Sequence, residues 1–322
     1  MVPKKSVLLA GEPMGMFIAE EPGRLEEVSA FSLATCGAEL NVAVGLNRLG
    51  HDVAYMTKLG RDPFGVRIFN QIKKLGMDTQ EIQFSDDNPT GFLLKEKVEE
   101  GDPGIFYFRK GSAASTLSVQ DAERLDFSRF DAVHLTGITP ALSDSCREMA
   151  LVLCRKAREN GCFFSFDPNL RPRLWPSKAE MTACIHMLAA QADLFLPGIK
   201  EAACLLEEEM PEKIAEQYLL MGAKAVVLKI GARGAYYADC RGESGYVKGF
   251  PVRTVVDTVG AGDGFAAGVL SGCREGLPLA QAVRRGCAIG AIQVMSKGDN
   301  DGLPTRAQLR AFMEGKADWC SA

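Results

Sequence analysis

Short apolar runs that end at Gly, Asp or Pro recur at residues 6–10, 53–57, 132–135, 162–166, 194–196 and 225–230, with amphipathic stretches between them. Runs this short and this uniformly apolar suit strands that are covered on both faces. The stretches at 40–49, 64–75 and 143–160 carry helical periodicity, and each stops at a glycine (Gly50, Gly76, Gly161), the residue best able to close a helix in the left-handed conformation. This alternation predicts an α/β fold, a doubly wound, mostly parallel sheet flanked by helices.

Two stretches break the rhythm. Residues 16–35 and 91–109 alternate polar with apolar side chains, and Gly101-Asp102-Pro103-Gly104 has turn chemistry, which predicts antiparallel strands. They are expected to form a small β-flap, with segments at about 14–36 and 88–111, placed over the open edge of the main sheet as a lid. Residues 249–256 read as a further strand leading into Asp257. Residues 262–275 and 279–295 read as helices whose many Gly and Ala permit close helix packing or close approach to a ligand.

Charge excludes one class of partner. With 37 basic against 41 acidic residues and a net charge of -4, the chain offers no long-range attraction to a polyanion, so nucleic acid is not an expected partner. The apolar run at 6–10 stops at Glu12, short of a signal-peptide core, and no later stretch is long enough to span a bilayer. A cytoplasmic protein without membrane contact is therefore expected. The ten cysteines occur singly and without a CxxC pair, which reads as small buried hydrophobes rather than disulfides. The three histidines, His51, His134 and His186, show no zinc-ligand spacing.

The chemistry concentrates at Asp257-Thr258-Val259-Gly260-Ala261-Gly262-Asp263-Gly264. Glycines at the entry to a helix leave main-chain N–H groups unpaired at its positive end, where they can surround a phosphate. Donors aimed at a migrating phosphoryl group are worth about 3–4 kcal/mol each, by analogy with oxyanion holes. Gly260, Ala261 and Gly262 are the candidate anion hole. Asp263, in the first helical turn, is placed to accept the proton of an attacking hydroxyl; as a lone carboxylate it equally suits the helix dipole. Asp257 suits either a magnesium-bound phosphate or a turn N–H.

Other phosphate motifs compete poorly. GxxxxGK[ST] is absent, which removes the P-loop. Residues 262–267 fit G-x-G-x-x-A, but the residues about twenty positions on are Cys287-Ala288-Ile289-Gly290, with no ribose-binding acid among them. A nicotinamide-dependent oxidoreductase and a non-catalytic sugar-binding protein remain as the alternatives from other classes.

The 257–265 stretch resembles the C-terminal signature of the ribokinase-like (PfkB) carbohydrate kinases. Cys36-Gly37-Ala38-Glu39-Leu40-Asn41 and Leu59-Gly60-Arg61-Asp62-Pro63-Phe64-Gly65 resemble their sugar-binding signature, with Cys36 in place of a usual glycine. The resemblance covers nearly the whole chain. It implies one kinase domain over residues 1–318 with the lid inserted, ATP and Mg2+ as cofactors, and sugar contacts at Gly37, Ala38 and Asn41. It also implies a nucleotide site formed by Lys229, Gly231, Gly234, Thr258, Gly260, Gly262, Ala288 and Ala291, with Gly298 on the adenine side. Residues 231–234 alone read as a plain hairpin turn. Family members often carry Asn-x-x-Glu after a proline, the Glu organising magnesium through water. Here Gly198-Ile199-Lys200-Glu201 keeps the Glu and replaces the Asn, so Glu201 is the one candidate metal residue, or simply an acid at a helix start.

Residues 106–114 and 166–175 look most like the 2-keto-3-deoxygluconate kinases of that family, and fructokinases share similar Arg-bearing segments. A sugar acid carries a carboxylate, and Arg109 and Arg171 offer the planar guanidinium that matches it. Tyr107 can stack or donate. The bland readings are a loop cap for Arg171 and lid core for Tyr107. The implied reaction is in-line ATP-dependent phosphorylation of a sugar's terminal hydroxyl, on 2-keto-3-deoxygluconate to its 6-phosphate or on fructose or another neutral sugar. A flap with an exposed antiparallel face also implies a homodimer through the lid.

Overall fold

A computed structural model describes residues 5–98, 103–296 and 298–316. The strands are β1 (Ser6–Ala10), β2 (Met14–Ala19), β3 (Phe31–Cys36), β4 (Val53–Gly60), β5 (Ile82–Ser85), β6 (Phe92–Lys95), β7 (Ile105–Phe108), β8 (Phe130–Thr136), β9 (Phe163–Asp167), β10 (Leu194–Phe195), β11 (Ala225–Lys229), β12 (Gly234–Asp239) and β13 (Ser244–Lys248). The α-helices are α1 (Ala38–Arg48), α2 (Pro63–Lys74), α3 (Val119–Glu123), α4 (Asp144–Glu159), α5 (Lys178–Ala189), α6 (Ile199–Leu206), α7 (Pro211–Met221), α8 (Ala261–Arg274), α9 (Leu279–Val294) and α10 (Arg306–Met313). Among the described residues the main sheet runs β13-β12-β11-β10-β9-β8-β1-β4-β5, parallel from β11 to β5 with β12 and β13 antiparallel at one end.

Both faces are covered because successive side chains of a strand point to opposite sides. Leu8 and Ala10 of β1 pack with α4, α5 and α7, whereas Val7 and Leu9 pack with α1, α8 and α9. Each fully buried Leu or Phe contributes about 1.5–3 kcal/mol, so two such layers fix the sheet firmly. Helix α8 lies unusually close to α9. A Cβ at Gly268 would sit 2.7 Å from the Gly286 Cα, and one at Gly272 2.7 Å from the Ala282 Cβ, so the small residues there serve helix packing.

The lid is a four-stranded sheet in the order β3-β2-β6-β7. Three corrections to the sequence reading arise here. First, the lid is mixed, since β2 and β6 run parallel while β2–β3 and β6–β7 are antiparallel. Second, it covers the carboxyl ends of the main strands rather than an open edge: its Met16, Leu93, Lys95 and Tyr107 share a cavity with Asn169, just past β9, and Lys229, the last residue of β11. Third, residues 249–256 form no strand. Proline at 251 removes one ladder donor, and the Val256 and Asp257 amides bond the Val294 carbonyl at the end of α9 instead (2.7 and 3.3 Å). Gly101 and Asp102 of the expected lid turn lie outside the described residues.

The cysteine reading also needs correction. Cys36, Cys146, Cys154, Cys162, Cys184 and Cys287 are buried, but Cys204 and Cys240 are exposed and Cys273 is half-buried; all nine are free thiols. Cys320 lies outside the described residues. No described helix is long and apolar enough to cross a membrane.

Candidate active site

The first turn of α8 starts at Gly260, whose φ of 77° is left-handed and whose α-carbon packs under the Asp299 carbonyl with no room for a Cβ. Glycine is required there by both conformation and space. The Asp257 carboxylate accepts from the Val259 amide (3.0 Å) and fixes the approach to the turn, so the turn N–H reading of Asp257 is the one observed. Beyond it the Gly260, Gly262 and Asp263 amides have no partner among the described residues, and Ala261 makes only a long contact to the Thr258 carbonyl (3.4 Å). Unpaired donors of this kind at a helix N-terminus form an anion site.

Asp263 faces this opening and is buried. Its Oδ2 accepts from Asn41 Nδ2 at 2.7 Å and its Oδ1 from Asn169 Nδ2 at 3.3 Å. Asn300 donates to Asn41 Oδ1 (3.1 Å), which orients the Asn41 amide toward the carboxylate. Burial raises the Asp263 pKa to about 6, although Asn41, Lys229 and Arg171 pull it down. A carboxylate tuned in this way is a competent general base near neutral pH.

Lys229 ends β11 and bonds Asp167 Oδ2 at 2.6 Å. Burial works against its ammonium, but Asp167, Glu201 and Asp263 outweigh burial and raise its pKa, so the side chain carries a positive charge beside the turn. Asn169 sits at φ 35°, and its amide is held by Asp167 Oδ1 (3.1 Å); a non-glycine residue in that region stores strain where the chain is aimed at a site.

Two cavities meet at this turn. One, of about 430 Å³, is lined by Gly37, Ala38, Asn41, Tyr107, Arg109, Arg171 and Asp263, together with Glu12, Glu39 and Asp299. The other, of about 400 Å³, is lined by Gly231, Gly234, Phe250, Val255, Ala261, Gly290, Ala291 and Val294. Lys229, Thr258 and Gly262 line both. A Cβ at Gly262 would meet nothing nearer than Lys229 Nζ at 3.8 Å. The glycine therefore keeps the passage between the cavities open, with no protein group filling it.

Residue by residue, the site expected from the sequence is assembled with a few differences. Ala288 is fully buried in the core between sheet and α8; Cys287, Gly290, Ala291 and Val294, at helical spacing, form the cavity wall instead. The Gly298 carbonyl accepts from Gln293 Nε2 (2.8 Å) and Gly298 lines neither cavity. Residues 231–234 are a hairpin turn between β11 and β12, and Gly231, Ala232 and Gly234 of it line the second cavity.

The two arginines differ. Arg171 lines the first cavity and spends Nη1 on the main-chain carbonyls of Asn169 (3.4 Å) and Leu170 (2.9 Å). Arg109 lines the same cavity and is held by an acid. Its Nε donates to Glu12 Oε2 at 2.6 Å, a terminal nitrogen reaches the same carboxylate, and Ser112 Oγ holds the other oxygen. A buried guanidinium needs such a partner because desolvation of a lone charge is costly. Tyr107 is half-exposed on the cavity side of the lid, and the Arg109 guanidinium lies 5.5 Å from its ring centroid.

Glu201 caps α6: Oε2 accepts from the Gly198 amide and Oε1 from the Leu170 amide, both at 2.7 Å. Among the described residues no cluster of three His, Cys, Asp or Glu forms a metal cage. The residues missed by sequence reasoning are Glu12, Lys95, Asp167, Asn169, Asp299 and Asn300. Asp167 and Asn169 had a usable signal, since polar residues just past a parallel strand's carboxyl end are where such sheets bind ligands.

Residues 4–306 match the pfkB family of carbohydrate kinases. The chain is 48% identical to the 2-dehydro-3-deoxygluconokinase of Bacillus subtilis (strain 168), covering 97% of both chains. It is 31% identical to the 2-dehydro-3-deoxygluconokinase of Thermoproteus tenax, over 96% of this chain and 94% of the relative. The crystal structure of a PfkB protein from Polaromonas sp. JS666 superposes with a TM-score of 0.87 at 42% identity, over 95% of this chain and 99% of that one.

Proposed function

We propose that this chain, which belongs to the pfkB family of carbohydrate kinases, phosphorylates the terminal hydroxyl of 2-dehydro-3-deoxygluconate (2-keto-3-deoxygluconate) to its 6-phosphate. The single observation that carries the reaction is the junction of two cavities at unpaired amides with a buried carboxylate beside them. The sugar side is the cavity under the lid. The nucleotide side is the apolar cavity between the β11–β12 turn and α9, and ATP is the phosphoryl donor in kinases of this family.

In this reading Asp263 takes the proton of the sugar hydroxyl, and the Gly260, Gly262 and Asp263 amides with the Lys229 ammonium stabilise charge on the moving phosphoryl. Asn41 and Asn169 hold the carboxylate in line. The lid excludes the water that competes as acceptor. Magnesium fits as an ion brought by the nucleotide, because the described residues offer no cage of three ligating side chains and Mg2+ prefers phosphate and water oxygens. Asp167 and Glu201 are the residues that would hold it, and it would supply charge neutralisation on the nucleotide's phosphates.

Arg171 and Arg109, both lining the lid-side cavity, are the cations that support an acidic sugar, Arg109 being also paired with Glu12. The identity to two 2-dehydro-3-deoxygluconokinases supports the same choice. Residues 1–318 are taken as one kinase domain in the cytoplasm. A homodimer through the outer face of the lid is supported by the exposure of Phe106 (58%) and Phe108 (52%), and light scattering at the monomer mass would refute it.

The test is an ADP-release assay with ATP, magnesium and a panel of 2-dehydro-3-deoxygluconate, fructose, ribose and a nucleoside. The sugar acid is expected to give the highest kcat/KM by at least about tenfold. Preference for fructose would replace the substrate and leave the mechanism, while no turnover with any sugar would remove both.

A further inference from the structure

We propose that Lys95 is a positioning residue that ties the seating of the lid to the geometry of the glycine turn. The inference rests on the reading of that turn as the phosphate site. Lys95 lies on lid strand β6, paired with Ile18 of β2 and Ile105 of β7, and its side chain is almost fully buried.

Its ammonium reaches across 162 residues of sequence to Asp257 Oδ2 at 2.6 Å. The other oxygen of the same carboxylate accepts from the Val259 amide, so a single carboxylate is shared between a lid cation and the main chain that enters the anion site. Lys95 also lies 3.8 Å from Asp299 Oδ1, and the Asp299 carbonyl packs directly on Gly260. The ammonium thus touches the turn from both sides, through the residue before it and through the loop above it.

Two features argue that this contact acts as a coupling rather than as surface decoration. The side chains of Lys95, Asp257 and Asp299 are only 5%, 14% and 8% exposed, so separating the pair strands the buried Asp257 carboxylate without its cation. That makes the seated lid and the ordered turn one arrangement, because neither side can leave alone without stranding a charge. Asp299 is pushed to about 7 by burial while Lys95 pulls it down, consistent with the same dependence. Displacing the lid therefore loosens the donors that hold the migrating group, and an open lid is an inactive turn.

The experiment compares wild type with Lys95→Met, Asp257→Asn and the double variant. Steady-state kinetics are run with the sugar acid and ATP, and hydrogen exchange is followed in peptides covering 92–95 and 257–263. In Lys95→Met we expect kcat to fall about tenfold or more, exchange to accelerate in both segments together, and the double variant to be no worse than the single one. Additive losses, faster exchange in the lid alone, or an effect confined to the KM for the sugar acid would overturn the proposal, the last because it marks a direct ligand. If Lys95→Met does not fold, Asp257→Asn carries the same test from the other side of the pair. Failure of the site reading is separately visible, since an active Asp263→Asn variant would sink it without altering the exchange result.

Discussion

The two cavities that meet at Gly262 are nearly equal in size, about 430 and 400 Å³, and opposite in chemistry. The lid side is a network of charges and amides in which Glu12, Asn41, Lys95, Arg109, Asp263 and Asp299 are each bonded or ion-paired to a specific partner. The far side is built from Gly231, Gly234, Phe250, Ala291 and Val294, with main-chain and apolar surface and few polar side chains. In the proposed reading the acceptor would be recognised by groups that are costly to leave unpaired, and the donor by shape. The first kind of recognition discriminates strongly and the second weakly, because a site built to bond a polar substrate is left with orphaned groups when the substrate lacks them.

The contrast can be attacked in order of expected effect. Asp263→Asn is expected to lower kcat by about 100- to 10,000-fold with little change in either KM; ADP-release kinetics on a variant whose thermal transition matches wild type check this, and near-normal turnover would end the mechanism. Gly262→Ala places a methyl in the passage. Its helical position gains propensity and its Cβ meets only Lys229 Nζ at 3.8 Å. The fold should therefore be at least as stable while kcat falls about tenfold or more, and an active, stable variant would mean the phosphoryl group passes elsewhere.

Arg171→Ala probes the lid side alone. Loss of a charge-assisted contact should raise the KM for the sugar acid about 10- to 100-fold and leave the KM for ATP and the turnover of fructose nearly unchanged; equal losses with both sugars would remove charge recognition. Ala291→Leu is the matched change on the other side, expected to raise the KM for ATP about two- to tenfold and spare the sugar. Smallest is the response to pH. The Asp263 pKa is raised to about 6 by burial, and only the ionised form accepts a proton, so log kcat/KM should fall with unit slope below about pH 6 and level off above it. A profile flat down to pH 5 would assign the proton to another group.

Legibility in the sequence followed locality. The buried parallel strands and the helices ending at Gly50, Gly76 and Gly161 were readable because each is specified by its own short stretch. The edge strands β5 and β13 were not, since partial exposure breaks the apolar run that marks a central strand. Residues 249–256 have strand-like composition but form no strand. The Asp263 turn was readable because glycines on both sides of a carboxylate have few structural uses. Lys95, Asp299 and Asn300 left no local trace, as their partners lie 162, 204 and 259 positions away in the chain. The Glu12 partner of Arg109 was not readable, because nothing near the arginine in sequence announces it.

The near contact of α8 with α9 through Gly268 and Gly286 has a practical meaning for redesign. Even one added carbon on that seam would pry the helices apart and swing the carboxylate at the other end of the rod away from its acceptor. Under the proposed reading, new acceptor preferences are therefore better written into cavity-lining lid positions other than Lys95, such as Leu93 and Tyr107, which lie off that seam.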